Sequence, residues 1–351
     1  MRAYDKGINR LLANPPPVLM QQPFNFKVVP SGDENARVPV SVAGQTMVDV
    51  QKILTDIGAS MVRQELRLQN DVPASLMKRF DLSMSASSGR DVDAEAEGED
   101  TLMLDALNGL IKELDLANTV EAHDTPGNHR EALARRELSK DLLALSQHLE
   151  GYDLYYGTGD ELKKFRLTRK DQLREIAEDQ STSFNGAVIG RIGQDPVRKN
   201  RWLISNGRDS VPVTFASNIS TTDIPLFSEA GPIIASGTVV VDDSGSVKEM
   251  RAVIGCYSFP TVKFHRAITA TRDIILLNPV EAIPGYNSKK GTWTLDCDAL
   301  GISISKPSWD ECVVAFHEYF VFLWETYEEN DGELEGEEAE VRDFLRSLAF
   351  P

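Results

Sequence analysis

The chain of 351 residues is 41% apolar, which is enough to bury a substantial core in two or three compact units and excludes a disordered chain. A formal net charge of −17 excludes a general attraction to nucleic acid or anionic lipid, so any contact with a polyanion has to be local. Three scattered cysteines, Cys256, Cys297 and Cys312, exclude a disulfide framework or a CxxC-type zinc site and point to a reducing compartment.

Residues 1–23 read as a proline-rich arm, because Pro15, Pro16, Pro17 and Pro23 remove backbone donors. Charges interrupt the apolar runs of this arm, leaving no h-region for export, and no window approaches the roughly 20 apolar residues that cross a bilayer. A cytoplasmic protein without a membrane partner is expected. Residues 24–84 suggest an N-terminal α+β unit in which FNFKVV and VPVSV form two strands about the turn SGDEN. A helix follows, capped by Thr46, with Val50, Ile53, Leu54, Ile57 and Met61 on one face.

Six acids between Asp91 and Asp100 make 85–100 a solvated acidic linker by self-repulsion. Residues 101–180 return to helical periodicity in three segments, TLMLDALNGLIKELDLA, HREALARRELSKDLLALSQHLE and TRKDQLREIAE. From 181 to 351 the reading is a β-rich domain with a C-terminal helix and acidic tail. AVIGRI, RWLIS, SVPVTF, GTVVV and KEMRAVIGCYSF are five short β-branched or aromatic runs, the last two joined by the turn DDSGS. They predict a small antiparallel barrel or twisted sheet. The fold class is therefore α+β.

Ser308 and Glu311 form a capping box, and Trp309, Val313, Phe316, Phe320, Leu323 and Tyr327 follow at spacings of four and three. This stripe must be buried, either on the chain's own sheet or on a partner. Under the second reading Trp309, Phe316, Phe320 and Trp324 are partner-binding residues, joined by the acids Glu333, Glu335, Glu337 and Glu338, which would offer carboxylates to a basic cleft. The cluster Val341, Phe344, Leu345 and Leu348 predicts a final helix that docks back.

The segment LDCDALGISISKPSWDECVVAFHEYFVFLWETY, residues 295–327, resembles the HicB-type antitoxin pattern of a strand with a Leu-Gly step leading through a turn into an amphipathic helix. Leu300 and Gly301 match the step, and Ser308, Glu311 and Cys312 stand where that family begins its helix. The usual Gly-Asp/Glu-Thr turn is replaced by Ser305, Lys306, Pro307 and Ser308, and no DNA-binding unit follows. The resemblance implies a partner-binding or regulatory fold and carries over no functional residues.

Three constellations could bear chemistry. His123, Asp124 and His129 could converge on a metal along a Pro-Gly turn, the arrangement a metal-dependent hydrolase would use. Cys256 and His265 could make a thiol and base pair, although Cys256 sits in the apolar run AVIGC. His317 and Glu318 lack the second His of an HExxH motif, and GRIGQDP and YYGTGDE lack the spacing of phosphate loops, so no catalytic residue and no cofactor are assigned.

One interval departs from the acidic background. Residues 161–210 hold eleven basic residues against seven acids, which makes them +4 while the remainder is −21. Arg191, Arg198, Lys199, Arg201, Trp202 and Arg208 could form a groove where cations meet phosphates and rings meet bases. The reading that follows is a regulatory, protein-binding component of a prokaryotic toxin-antitoxin or defence system, with room for a homo-oligomer. Its first rival is a single-stranded nucleic-acid binder using the basic interval, and its second the metal enzyme.

Overall fold

The computed structural model describes residues 24–32, 37–82, 92–96, 101–119, 128–159, 161–199, 201–207, 209–220, 222–229, 231–287, 289–329 and 334–348. The expected proline-rich arm lies outside them, as does most of the acidic stretch 85–100. The fold is α+β and divides into two compact units built from separated segments. Met1–Gly58, Phe80–Glu121 and Lys140–Arg174 form the first, and Ala59–Arg79, Ala122–Ser139 and Glu175–Pro351 the second.

In the first unit β1 (Phe24–Pro30), β2 (Val92–Ala96), β3 (Tyr152–Thr158) and β4 (Glu161–Lys164) form a sheet in the order β2-β1-β3-β4, with every neighbouring pair antiparallel. Phe24, Phe26 and Val28 alternate into the core, as period-two patterning requires. The helices, taken in chain order, begin with α1 (Val40–Glu65), α2 (Ala74–Met77), α3 (Thr101–Asn118) and α4 (His129–His148). Val50, Ile53 and Leu54 of α1 are buried, as are Leu107, Leu110 and Leu114 of α3.

Two expectations are corrected here. VPVSV is not a strand: Pro39 offers its carbonyl to the Ala43 amide at 3.1 Å and α1 starts at Val40, which is left exposed. A five-residue apolar run carries too little periodicity to separate strand from helix. Thr46 therefore lies inside the helix, where its hydroxyl donates back to the Val42 carbonyl at 2.9 Å instead of capping. The acidic stretch, in turn, supplies the edge strand β2, paired with β1 from Phe24↔Ala96 to Val28↔Val92.

The second unit holds a closed barrel of β5 (Ser183–Gln194), β6 (Trp202–Ser205), β7 (Ser210–Phe215), β8 (Ile233–Val241) and β9 (Val247–Ser258). The five sequence runs are these five strands. α5 (Lys170–Glu178) precedes them and α6 (Ile224–Glu229) lies between β7 and β8. The order around the barrel is β5-β6-β7-β9-β8, and one joint, β7 with β9, is parallel where an all-antiparallel barrel was expected. Val188, Ile192, Ile204, Val213, Val239, Met250 and Val253 fill the interior.

A bulge makes that joint possible. Ser236 pairs with Gly255 but Thr238 with Arg251, so one β8 residue faces three on β9, and Ala252 takes φ 46°. The lone β8 residue is Gly237, where a Cβ would sit 2.9 Å from the Val253 Cα and 3.0 Å from the carbonyl oxygens of both Ala252 and Arg251. Bending β9 there lets Met250 and Val253 reach Val213 and Phe215 of β7.

Beyond the barrel, β10 (Val262–Ile268), β11 (Asp273–Asn287), β12 (Thr292–Cys297) and β13 (Ile302–Lys306) form an antiparallel sheet in chain order. α7 (Trp309–Leu323) packs on it, running into a π-helical turn at Trp324–Glu328, and α8 (Glu337–Leu348) follows. α7 opens as the capping box predicts, with the Ser308 hydroxyl accepting from the Glu311 amide at 3.2 Å. α8 docks through buried Leu345 and Leu348, and the Asn278 amide donates to the Ser347 carbonyl at 3.0 Å.

Candidate nucleic-acid interface

Alternation fixes which barrel side chains face outward. On β6, Trp202 and Ile204 pack on the interior, as do Val211, Val213 and Phe215 on β7, so Leu203, Ser205, Ser210, Pro212 and Thr214 point away from it. On β5, Ile192 is interior and Arg191 and Gly193 are outward. Strand register then lays these residues in rows. Gly193 pairs with Leu203, which pairs with Pro212; Arg191 pairs with Ser205, which pairs with Ser210. The hydroxyls of Ser205 and Ser210 meet at 2.8 Å.

The Gly193–Leu203–Pro212 row is an apolar strip that is open at its Gly193 end. Leu203 and Pro212 are half-buried, and a Cβ at Gly193 would meet nothing within 4 Å. Arginines stand on both sides: Arg191 in the next row, its guanidinium carbon 5.7 Å from the Tyr286 ring centroid, and Arg201 immediately before β6.

The β5–β6 loop adds Arg198 and Lys199, both exposed and neither in an ion pair among the described residues. Asp195 shapes this loop. Its carboxylate accepts from the amides of Val197 at 2.9 Å and Arg198 at 3.1 Å, and these two bonds hold its pKa below the usual carboxylate range. The Gln194 side chain donates to the Lys199 carbonyl at 3.0 Å, and the Asp195 amide to the Arg201 carbonyl at 2.9 Å. The cations are thus carried on a hydrogen-bonded turn next to the strip.

Of the six residues expected here, Arg191, Arg198, Lys199 and Arg201 meet at this face and its loop. Trp202 turns inward against the barrel interior, and Arg208 lies outside the described residues. Gly193, Leu203, Pro212 and Thr214 escaped the sequence reading; the alternation in RWLIS and SVPVTF carries them, but only register places them side by side. Elsewhere in the basic interval Lys163 pairs with Asp115 and Lys164 with Asp153, at 2.6 Å each.

The aromatic stripe faces the chain's own sheet. Trp309, Phe316 and Phe320 are at most 1% exposed and Trp324 7%, so the four do not present a partner surface. Trp309 stacks edge-on to Trp293 at 5.3 Å and donates its Nε1 hydrogen to the Arg67 carbonyl at 3.0 Å; Phe316 meets Phe264 at 5.4 Å. The strands that α7 packs on, β10, β12 and β13, stand directly before it in the chain. Glu335, Glu337 and Glu338 are exposed, the latter two in the first turn of α8 where the helix dipole favours acids, and Glu333 lies outside the described residues.

His129 is 3% exposed and packs on the barrel wall at Gly186, where a Cβ would come 2.5 Å from its Nδ1. Burial, with Arg130 and Arg63 adding to it, pushes its pKa down to about 4. His123 and Asp124 lie outside the described residues, and among those described no three His, Cys, Asp or Glu side chains are grouped to hold a metal. Burial raises the Cys256 thiol to about 11, so it stays protonated near neutrality, while His265 is lowered by burial and by Arg67 and Lys263.

Comparison with protein-family models, curated proteins and solved structures returns no match to this chain. Among the described residues no helix is long and apolar enough to cross a membrane.

Proposed function

We propose that the protein binds single-stranded nucleic acid on the outward face of β5, β6 and β7. The observation that carries this reading is the juxtaposition of an apolar strip, Gly193–Leu203–Pro212, open at Gly193, with Arg191, Arg201 and the loop cations Arg198 and Lys199. Small Greek-key barrels of the OB type take oligonucleotides on the face of their second and third strands and on the loop between the first and second. The strip and the basic loop occupy those positions here. Bases would lie against Leu203 and Pro212, with close approach allowed by Gly193, and the four cations would meet phosphates.

A net charge of −17 opposes long-range attraction, so affinity is modest and local contacts decide it. Duplex is disfavoured, because its bases are stacked inside and only its phosphates could reach the face. The test is fluorescence anisotropy of labelled 12-nucleotide oligothymidylate and oligouridylate at low salt. Binding of either, weakened about tenfold or more by Leu203→Glu, supports the reading. No binding, or binding untouched by that substitution, overturns it.

A further inference from the structure

α7 is buried on the sheet side yet leaves two neighbouring aromatic rings in solvent. Tyr319 is 41% exposed and Phe322 54%, with ring centroids 5.9 Å apart. Beside Phe322 a groove of about 210 Å³ opens between α7 and the β10–β11 turn, lined by Thr269, Ala270, Thr271, Val321 and Phe322 and flanked by Glu318 and Glu325. An exposed aromatic pair next to such a recess marks an interaction surface more readily than a lone exposed residue does.

Charge selects the occupant. Glu318, Glu325, Glu328 and Glu329 lie along the groove and the turn after it, opposed by Arg272, which reaches Glu325 at 3.4 Å and bonds both carboxylate oxygens of Glu329 with its two terminal nitrogens. Arg79, whose guanidinium donates to the Thr269 carbonyl at 2.9 Å and to the Arg272 carbonyl at 2.8 Å, is a second cation there, so four carboxylates against two cations leave the rim negative. A second copy of the chain would bring identical carboxylates against these, and nucleic acid would bring phosphates, so both are disfavoured. The π-helical turn at Trp324–Glu328 keeps Trp324 in the core while the Thr326 hydroxyl bonds the Phe322 carbonyl at 2.7 Å, fixing the helix end that carries the groove wall.

We propose that this groove docks a basic segment of a protein partner, one bulky apolar side chain entering the recess beside Phe322 while flanking lysines or arginines meet Glu318 and Glu325. The site is separate from the barrel face and stands or falls independently of it. The experiment titrates the full chain with two fluorescein-labelled peptides, Lys-Lys-Leu-Lys-Lys and Lys-Lys-Ser-Lys-Lys, which differ only in the anchor. The leucine peptide is expected to bind at least fivefold more tightly, an advantage that Phe322→Ser abolishes and Glu318→Gln with Glu325→Gln reduces for both peptides. Equal binding of the two peptides, or a leucine advantage that survives Phe322→Ser, overturns the proposal. Ala270→Trp, which fills the recess from the wall opposite Phe322, serves as the anchor test should Phe322→Ser lose its fold by circular dichroism, and is expected to abolish the leucine advantage. Concentration-dependent dimerisation through Phe322 in sedimentation would also overturn it, by assigning the groove to a second copy.

Discussion

Acidification from pH 6.5 to 4.5 should weaken the second unit through two buried histidines. His317 is 1% exposed, its Nδ1 accepting the Ile268 amide at 3.3 Å and its ring edge-on to Phe264 at 4.6 Å. Burial lowers it from 6.5 to about 3, and His129 falls to about 4. In the unfolded chain both imidazoles take protons near 6.5, whereas in the folded chain neither does so until well below. Stability is therefore complete above 6.5 and lost as the pH falls towards the folded values. Two pH units at about 1.4 kcal/mol each give between roughly 2 and 3 kcal/mol per histidine by pH 4.5. Asp153, Asp179, Asp195 and Asp242, whose hydrogen bonds and cations lower them, act below this window, while Asp310 is raised by desolvation and works the other way. The isolating variant is His317→Gln, whose side-chain oxygen can still accept from Ile268. Urea midpoints at pH 6.5, 5.5 and 4.5 should show the variant losing roughly 2 to 3 kcal/mol less than wild type over that range. Equal losses would refute the assignment of a neutral, buried His317.

Gly237→Ala should cost roughly 1–3 kcal/mol by urea denaturation, because the added methyl meets backbone of the β9 bulge that cannot step aside, whereas Gly193→Ala, with open space, should cost less than 1. Ser308→Ala removes the hydroxyl that caps α7 and should lower stability by about 1 kcal/mol in the same assay. Half-buried Cys256 and buried Cys312, raised by desolvation to about 11 and about 12, should resist iodoacetamide at pH 8 in the native protein and react in urea, as read by mass spectrometry; rapid native labelling of Cys312 would contradict its burial.

The elements most legible in the sequence were those whose period is long or whose boundaries carry chemistry. α3 and α4 repeat apolar residues over several turns, and Ser308 with Glu311 announces α7. The barrel strands were legible as five runs between turn residues, but their closure was not, because it depends on Gly237 facing three β9 residues and so on contacts between distant segments. VPVSV was misread since a short β-branched run fits either period. At the candidate site, the cations were visible as a local excess, while Leu203 and Pro212 are ordinary apolar residues that acquire meaning only from register. The aromatic stripe had two outcomes in sequence; the sheet immediately before it settles the matter, leaving Tyr319 and Phe322, off the stripe, as the exposed pair.

The most direct measurement is the salt dependence of oligothymidylate binding. If Arg191, Arg198, Lys199 and Arg201 each meet a phosphate, log K against log salt should fall with a slope of about −3, at about −0.7 per contact on a single strand. Arg198→Gln with Lys199→Gln should halve that slope to about −1.5 while leaving the fold intact. A flat salt dependence, or a slope the double substitution does not change, would contradict the barrel face as the binding surface.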